Sequence, residues 1–382
     1  MLRVLHVGKF YPPQMGGIET HLETLCSELR RSVDVKVLVA GGSVRRTESV
    51  EGIPVIRLQT LATVASTPFC KGMAAEIRQS KADLVHVHWP NPAAVLAYLR
   101  SGHRGPLIVT YHSDNVRHRF LGALFEPILH RFLGKSAAIL VTSPQYSESS
   151  RILRRHRSRC HVVPLGIRVP EFARFDDRQV ASLRQRYGSR ILLAVGRLVY
   201  YKGFNYLIEA MSGVDGRLLI IGEGPLRAKL ERLAADHGVH ERVVFLGRVP
   251  DATPYYHACD VFVLPSIARS EAFGIVQLEA MAAGKPVINT RLDSGVPFVS
   301  LHDATGLTVP PGDPKALASA ANRLLDDLEL RSFYGEAGRV RVRTLFGVEP
   351  MASRTLEIYD SVMGRARPAL YADVSGTSVP AR

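Results

Sequence analysis

The chain has 382 residues, 46% hydrophobic and 22% charged, and a formal net charge of +14. That length is too great for one ordinary hydrophobic core and predicts two domains of ordinary soluble composition. No apolar run reaches the ~20 residues that a bilayer-spanning helix needs, and the opening "MLRVLHVGKFYPP" is too briefly apolar, and too soon broken by proline, for a secretory signal.

Residues 3–8 read as a buried strand. The loop "KFYPPQMGG" follows, then an amphipathic helix over about 18–31. "VDVKVLVA", "DLVHVHW", "PLIVTYHS" and "AAILVTS" repeat the short β-branched theme, with helical stretches between most of them. A second set begins near Ser189: "RILLAVGRL", "GRLLIIGEG", "RVVFLGRV", "CDVFVLPS", "GKPVINT" and "GLTVPP". Continuous apolar strands with helices between them predict parallel sheets covered on both faces. Two such sets predict two doubly wound α/β domains. The break falls in "VVPLGIRVPEFARFDD", where prolines and charges replace the pattern. The expected domains are therefore 1–168 and 169–349, with a last helix over about 350–364 packing back on the first. The tail 365–382 has no periodicity and reads as disordered.

The charge is uneven. Residues 100–160 carry eleven Arg/Lys against three Asp/Glu, a net of +8. Such a segment seeks nucleic acid, an anionic membrane or a phosphorylated substrate, although a solvated face has the same composition. The four cysteines, Cys26, Cys70, Cys160 and Cys259, have no CxxC or metal-ligand spacing. They read as reduced thiols of a cytosolic protein.

Ligands of doubly wound sheets bind at the carboxyl ends of strands, so residues there are the informative ones. Gly16 and Gly17 lie between a strand and a helix. They let backbone approach a ligand and offer a helix N-terminus to an anion, but a plain tight turn needs them equally. His112 ends the strand "PLIVTYHS"; a loop histidine capping a neighbour would look the same. Arg197 leaves a strand, and Lys202 precedes Gly203 and a helix. Two cations flanking one strand–helix turn can converge on a diphosphate, Arg as a fork and Lys as a point charge. "GEGP" opens like a dinucleotide fingerprint, but Arg227 stands at the third glycine and Pro225 suits a helix start, so a structural turn accounts for it. His86 and His88 alternate and share one strand face. No carboxylate stands at ligand spacing beside them, and no metal site is expected. In "RSEAFGIVQLEAMAAGKPVIN", Glu271 and Glu279 bracket a glycine-containing helix start. Two carboxylates with free backbone N–H groups between them suit a ligand bearing both hydroxyls and phosphate.

The order "PPQMGGIETHLETL", "VHVH", "TYHSD", "GRLVYYKG", "GEGP", "FLGRV", "LPSIARSEAFGIVQLEAMAAGKPV" and "TGLTVPPGD" resembles the retaining, nucleotide-sugar-dependent glycosyltransferases of family four, which have the GT-B fold. The resemblance runs from about residue 1 to 362, and the E-x7-E spacing from Glu271 to Glu279 is its most specific part. "YHSD" followed by "VRHRF", and the run "SEAFGIVQLEAMAAGKPVINT", look most like the bacterial mannosyl- and rhamnosyltransferases of surface-polysaccharide assembly.

The resemblance implies two Rossmann-like domains facing across a cleft, and a role for each site residue. Glu271 would hold hydroxyls of the donor sugar, and Glu279 the ribose hydroxyls. The N–H groups of Phe273, Gly274 and Ile275 would face sugar and diphosphate. Arg197 and Lys202 would neutralise the leaving diphosphate, and His112 would stand near the transferred sugar. Gly16 and Gly17 would line the loop where donor phosphate and acceptor meet. Arg248 and Val249 would meet the nucleotide base, largely through backbone. Fixed cations and N–H dipoles would favour the charge growing on the nucleoside diphosphate as the anomeric C–O bond breaks. No DxD-type acidic pair precedes a candidate sugar loop, so neither metal nor other cofactor is implied.

The expected partners are a nucleotide-sugar donor, a glycolipid or lipid-linked saccharide acceptor and an anionic membrane on its cytoplasmic face; nucleic acid is not expected. GDP-mannose is the expected donor, with UDP- and dTDP-sugars as the alternative. Two other classes stay open. A nucleotide-sugar epimerase would use the same donor without an acceptor, and a basic nucleic-acid binder would use the charged segment alone.

Overall fold

The structure is a computed structural model that describes residues 1–14, 16–114 and 119–365; in the helix Arg119–Gly134 side chains are described from Gly122 onward. The expected disordered tail, apart from Arg365, lies outside the described residues. The chain forms two compact units, one from residues 1–166 with the segment beginning at Val348, the other spanning 167–347.

The first unit is built on ten strands: β1 (Arg3–Val7), β2 (Asp34–Ala40), β3 (Arg46–Val50), β4 (Ile53–Leu58), β5 (Thr60–Val64), β6 (Thr67–Cys70), β7 (Leu84–Trp89), β8 (Leu107–Tyr111), β9 (Ala138–Val141) and β10 (Cys160–Val162). Eight of them form one sheet in the order β10-β9-β8-β7-β1-β2-β4-β3, parallel except for the edge strand β3. β5 and β6 make a separate antiparallel hairpin. The apolar runs read as strands are β1, β2, β7, β8 and β9, and every residue of β7 and β8 is buried. That is the burial expected of parallel strands covered on both faces. The helix after β1 runs Gly17–Leu29, starting one residue before the expected position and stopping two residues short. Its buried Leu22, Leu25, Cys26 and Leu29 share a core with Met351, Ala352 and Tyr359 of the helix Val348–Val362.

The second unit carries β11 (Ile191–Val195), β12 (Arg217–Ile221), β13 (Val243–Gly247), β14 (Val261–Val263), β15 (Val287–Thr290) and β16 (Gly306–Val309). They form one parallel sheet in the order β13-β12-β11-β14-β15-β16. Chain direction across the sheet reverses between β11 and β14. In the first unit the same reversal falls between β1 and β7. Crevices at such reversal points, outside the carboxyl ends of the strands, are where doubly wound sheets take ligands.

Candidate active site

In the second unit the chain leaves β11 through Gly196 and Arg197 and makes a short turn, Tyr200–Lys202, before the helix Phe204–Ala210. Gly203 closes that turn at φ +69°, and a Cβ there would stand 2.0 Å from the Pro265 carbonyl oxygen. Only glycine lets this loop lie on the segment leaving β14. The close approach brings Lys202 Nζ to 2.6 Å from Glu271 Oε2, with side chains 12% and 10% exposed. The Ser266 hydroxyl donates to the same oxygen at 3.1 Å. Burial opposes the Lys202 charge, but the Glu271 carboxylate outweighs it and the ammonium pKa is raised.

Glu279 stands in the helix Val276–Ala282 and accepts a 2.5 Å hydrogen bond from the Tyr256 hydroxyl. Burial lifts Glu279 above the usual carboxylate range, against the pull of Tyr256 and Lys202. Burial and the neighbouring Glu279 likewise push the Tyr256 phenol well up. The loop between the two acids is held from behind. Buried Gln277 donates to the Phe273 and Val296 carbonyls at 3.1 and 3.4 Å, and accepts from Asn289 at 2.9 Å. Phe273, Gly274 and Ile275 precede the helix, and no backbone hydrogen bond from their N–H groups to described residues is present.

The two expected cations part company. Lys202 is clasped by Glu271, whereas Arg197 is exposed and makes no ion pair among the described residues. Arg248 and Val249 leave β13 and line a pocket of about 580 Å³ together with Arg178, Asp251 and Tyr255. "GEGP" is a packing turn: Gly222 and Gly224 lie against the backbone of Gly196 and Leu198, and Arg227 pairs with Glu223 and Glu231.

In the first unit Gly16 caps the helix Gly17–Leu29. The Glu19 carboxylate folds over it so closely that a Cβ on Gly16 would meet Oε2 at 2.3 Å. Burial raises the Glu19 pKa, and Lys9 opposes that rise.

His112 follows β8 and is 4% exposed. It belongs to a cluster larger than the sequence indicates: His6 from β1, His21 from the helix Gly17–Leu29, and His86 and His88 from β7 are also buried. His88 bridges His6 and His112 at 3.1 and 3.2 Å. Burial holds all five imidazoles below their ordinary pKa, His6 at about 3 and His21 at about 4. Two sets, His6–His86–His88 and His21–His88–His112, bring one ring nitrogen each within 4.8 Å of one another, so either could hold a metal ion. In both sets the His88 nitrogens are already engaged in hydrogen bonds, which a metal would have to break.

The basic segment is partly neutralised. Arg151 pairs with Glu126, Arg157 with Glu148 at 3.2 Å, and Arg159 donates to the Leu133 and Gly134 carbonyls. Arg154 and Arg155 are exposed without an ion pair among the described residues. In the helix Arg119–Gly134, Leu129, Phe132 and Leu133 are core, while Leu124 is 71% exposed. Arg117, the conformation around it and the Arg119 side chain lie outside the described residues.

Sequence reasoning missed Ser266, Tyr256, Gln277, His6, His21 and Tyr359. Only the alternation of His86 and His88 in "VHVH" hinted at a polar strand face, and nothing in the local sequence names its partners.

Comparison with known proteins agrees with this architecture. Residues 176–341 match the family Glycosyl transferases group 1, and residues 16–166 match a Glycosyl transferase 4-like domain. An O-antigen chain mannosyltransferase C of Escherichia coli is 33% identical over 95% of this chain and 99% of its own. The D-rhamnosyltransferase WbpZ of Pseudomonas aeruginosa is 34% identical over 90% and 92%. A GDP-mannose-dependent alpha-(1-6)-phosphatidylinositol monomannoside mannosyltransferase of Mycolicibacterium smegmatis is 31% identical over 88% and 92%. Among solved structures, a sucrose-phosphate synthase from Thermosynechococcus elongatus superposes with a TM-score of 0.78, at 24% identity over 95% of this chain and 99% of its own. The fold is GT-B, with two Rossmann-like parallel sheets.

Proposed function

The chain belongs to the glycosyl transferases group 1 family, and on that premise we propose that it is a retaining, metal-independent hexosyltransferase of family four, moving mannose from GDP-mannose to a lipid-linked oligosaccharide or surface-polysaccharide precursor. The observation that carries the site reading is the Lys202–Glu271 contact at the reversal point of the second sheet. It places a cation and a carboxylate side by side, with Glu279 two turns along and N–H groups between. A nucleotide-sugar needs that combination: a cation for the diphosphate, one acid for sugar hydroxyls and one for the ribose.

In this reading the donor diphosphate takes Lys202 from Glu271, and the freed carboxylate turns to the sugar. Arg197, without an ion pair among the described residues, swings onto the same diphosphate. As the anomeric C–O bond breaks, negative charge on the leaving group meets cations already in place. The acceptor attacks from the leaving-group face, which retains configuration. Lys202 and Arg197 supply the countercharge that a divalent ion supplies elsewhere.

Mannose and GDP are supported by the names of the relatives, two of them mannosyltransferases and one of those GDP-mannose-dependent. The lipid-linked acceptor is supported by the O-antigen and phosphatidylinositol mannoside descriptions of the same two. No described helix is long and apolar enough to cross a membrane. The exposed Arg154 and Arg155 suit a peripheral hold on the cytoplasmic leaflet.

Thermal-shift screening against GDP, UDP, dTDP and ADP tests the donor. A ligand at 100 times its dissociation constant stabilises by ~2.7 kcal/mol. Stabilisation by GDP, and mannose transfer from GDP-mannose with the anomeric configuration kept, is the expected result. Stabilisation by UDP or dTDP but not GDP would remove the GDP-mannose assignment.

A further inference from the structure

We propose that a hydrogen-bonded chain of six buried side chains in the first unit fixes His112 as a neutral imidazole with its proton on Nδ1, making it a hydrogen-bond donor and not a base. Thr110, Tyr359, His6, His86 and His88 are then positioning residues for His112.

The chain is continuous. Thr110 Oγ1 lies 2.7 Å from His86 Nε2, and His86 Nδ1 lies 2.6 Å from the Tyr359 hydroxyl. That hydroxyl is 3.3 Å from His6 Nε2. His6 Nδ1 is 3.1 Å from His88 Nε2, and His88 Nδ1 is 3.2 Å from His112 Nε2. No member is more than 4% exposed.

A neutral imidazole has one donor and one acceptor nitrogen, so the direction of any one bond sets the next. Tyr359 could accept from both His86 and His6, but its own buried proton would then have no acceptor in the chain. With that proton used, only two arrangements satisfy the imidazoles. In the first, Thr110 donates to His86, His86 to Tyr359, Tyr359 to His6, His6 to His88, and His88 to His112. His112 then accepts at Nε2 and keeps its proton on Nδ1. In the second, every bond is reversed. The Tyr359 proton goes to His86 Nδ1, His86 donates from Nε2 to Thr110, and His112 donates from Nε2.

Thr110 decides between them. In the reversed arrangement its own hydroxyl proton has no acceptor among the described residues, in a buried place. A buried donor left unmade is penalised more than a made bond gains. The first arrangement uses every hydroxyl and imidazole proton within the chain except that on His112 Nδ1, which ends the chain and is not among the buried polar atoms without a partner. His21, edge-on to His112 with ring centroids 4.9 Å apart, takes no part; neither of its nitrogens has a hydrogen bond among the described residues.

The consequence for transfer rests on the proposed reading of His112 as facing the donor sugar. There it would offer an N–H to a sugar oxygen and could not take a proton at that atom. The acceptor proton must then leave by another route, such as the leaving phosphate oxygen.

The test uses full-length protein labelled with ¹⁵N-histidine. Long-range ¹H–¹⁵N correlation reports which ring nitrogen is protonated, and His112→Gln assigns the signal. The expected result is a neutral His112 protonated on Nδ1. Free histidine prefers Nε2–H, so breaking the chain should release His112 toward that form, in His88→Phe and in Tyr359→Phe. Tyr359→Phe removes one oxygen and keeps the ring, so it carries the test if His88→Phe does not fold. Nε2–H in the native protein overturns the proposal, as does an unmoved His112 in a folded broken-chain variant. In assays, Tyr359→Phe should lose kcat severalfold with nucleotide affinity kept. Failure of the sugar-facing reading is separable: it would leave the tautomer in place while neither variant altered transfer.

Discussion

Lys202 Nζ and Glu271 Oε2 lie 2.6 Å apart, joined across 69 residues by a glycine turn that allows no side chain. The protein therefore keeps a buried carboxylate and a buried ammonium neutralised against each other where β11 ends. A buried pair of this kind adds little net stability, yet losing one partner leaves an uncompensated charge.

This predicts different outcomes for the two cations. Lys202→Ala should lower turnover and also cost up to about 3–5 kcal/mol of stability, because Glu271 is left buried without its partner. Arg197→Ala should lower turnover alone. Loss of one charge-assisted contact to the diphosphate costs about 1.5–3 kcal/mol, roughly ten- to a hundredfold in rate. Steady-state kinetics with thermal melts separate the effects. A normal rate in either variant would contradict the proposed role of these cations on the diphosphate.

The two glutamates should also separate. Glu279→Ala should weaken binding of the free nucleoside diphosphate, since the proposed ribose contact would form with or without sugar. Glu271→Ala should spare that binding, or strengthen it by releasing Lys202, while transfer collapses. Titration calorimetry that finds equal losses of nucleotide affinity removes both assignments.

The histidine cluster predicts acid lability. An unfolded histidine titrates near 6.5, whereas folded His21 titrates at about 4 and His6 at about 3. Between those values the unfolded chain binds more protons, so stability rises with pH there. The contribution is complete above about pH 6.5 and declines as pH falls, by about 1.4 kcal/mol per pH unit for each histidine protonated only on unfolding. Thermal melts at pH 7.5, 6 and 5 should fall progressively; an unchanged midpoint would contradict a neutral buried cluster.

Membrane attachment should be electrostatic. Arg154 and Arg155, with Arg131, Lys135 and the partly paired Arg151, Arg157 and Arg159, are expected to meet lipid phosphates; the contributions expected of Arg117 and Arg119 lie outside the described side chains. Co-sedimentation should require anionic lipid and fade with salt as the Debye length falls from ~10 Å at 0.1 M. Equal binding to neutral vesicles, or none to anionic ones at low salt, would defeat it.

The sequence by itself determined the strands that are apolar throughout, because a strand buried on both faces has to read that way. It also marked Lys202 and Gly203, which follow β11, and Glu271 and Glu279, which bracket a helix start after β14. It did not reveal β3, whose "RTESV" is a largely exposed antiparallel edge, or the hairpin that pairs the mostly exposed β5 with the half-buried β6. Nor did it name the partners of the marked residues. Periodicity assigns a side chain to a face but says nothing of which strand lies beside it. Strand order set His6 next to His88, 82 residues away, and the returning C-terminal helix brought Tyr359 to His86, 273 residues away. Hydrogen bonds form over about 3 Å whatever the separation in sequence, so the protonation of His112, and the company Lys202 keeps, are properties of the packed sheets alone.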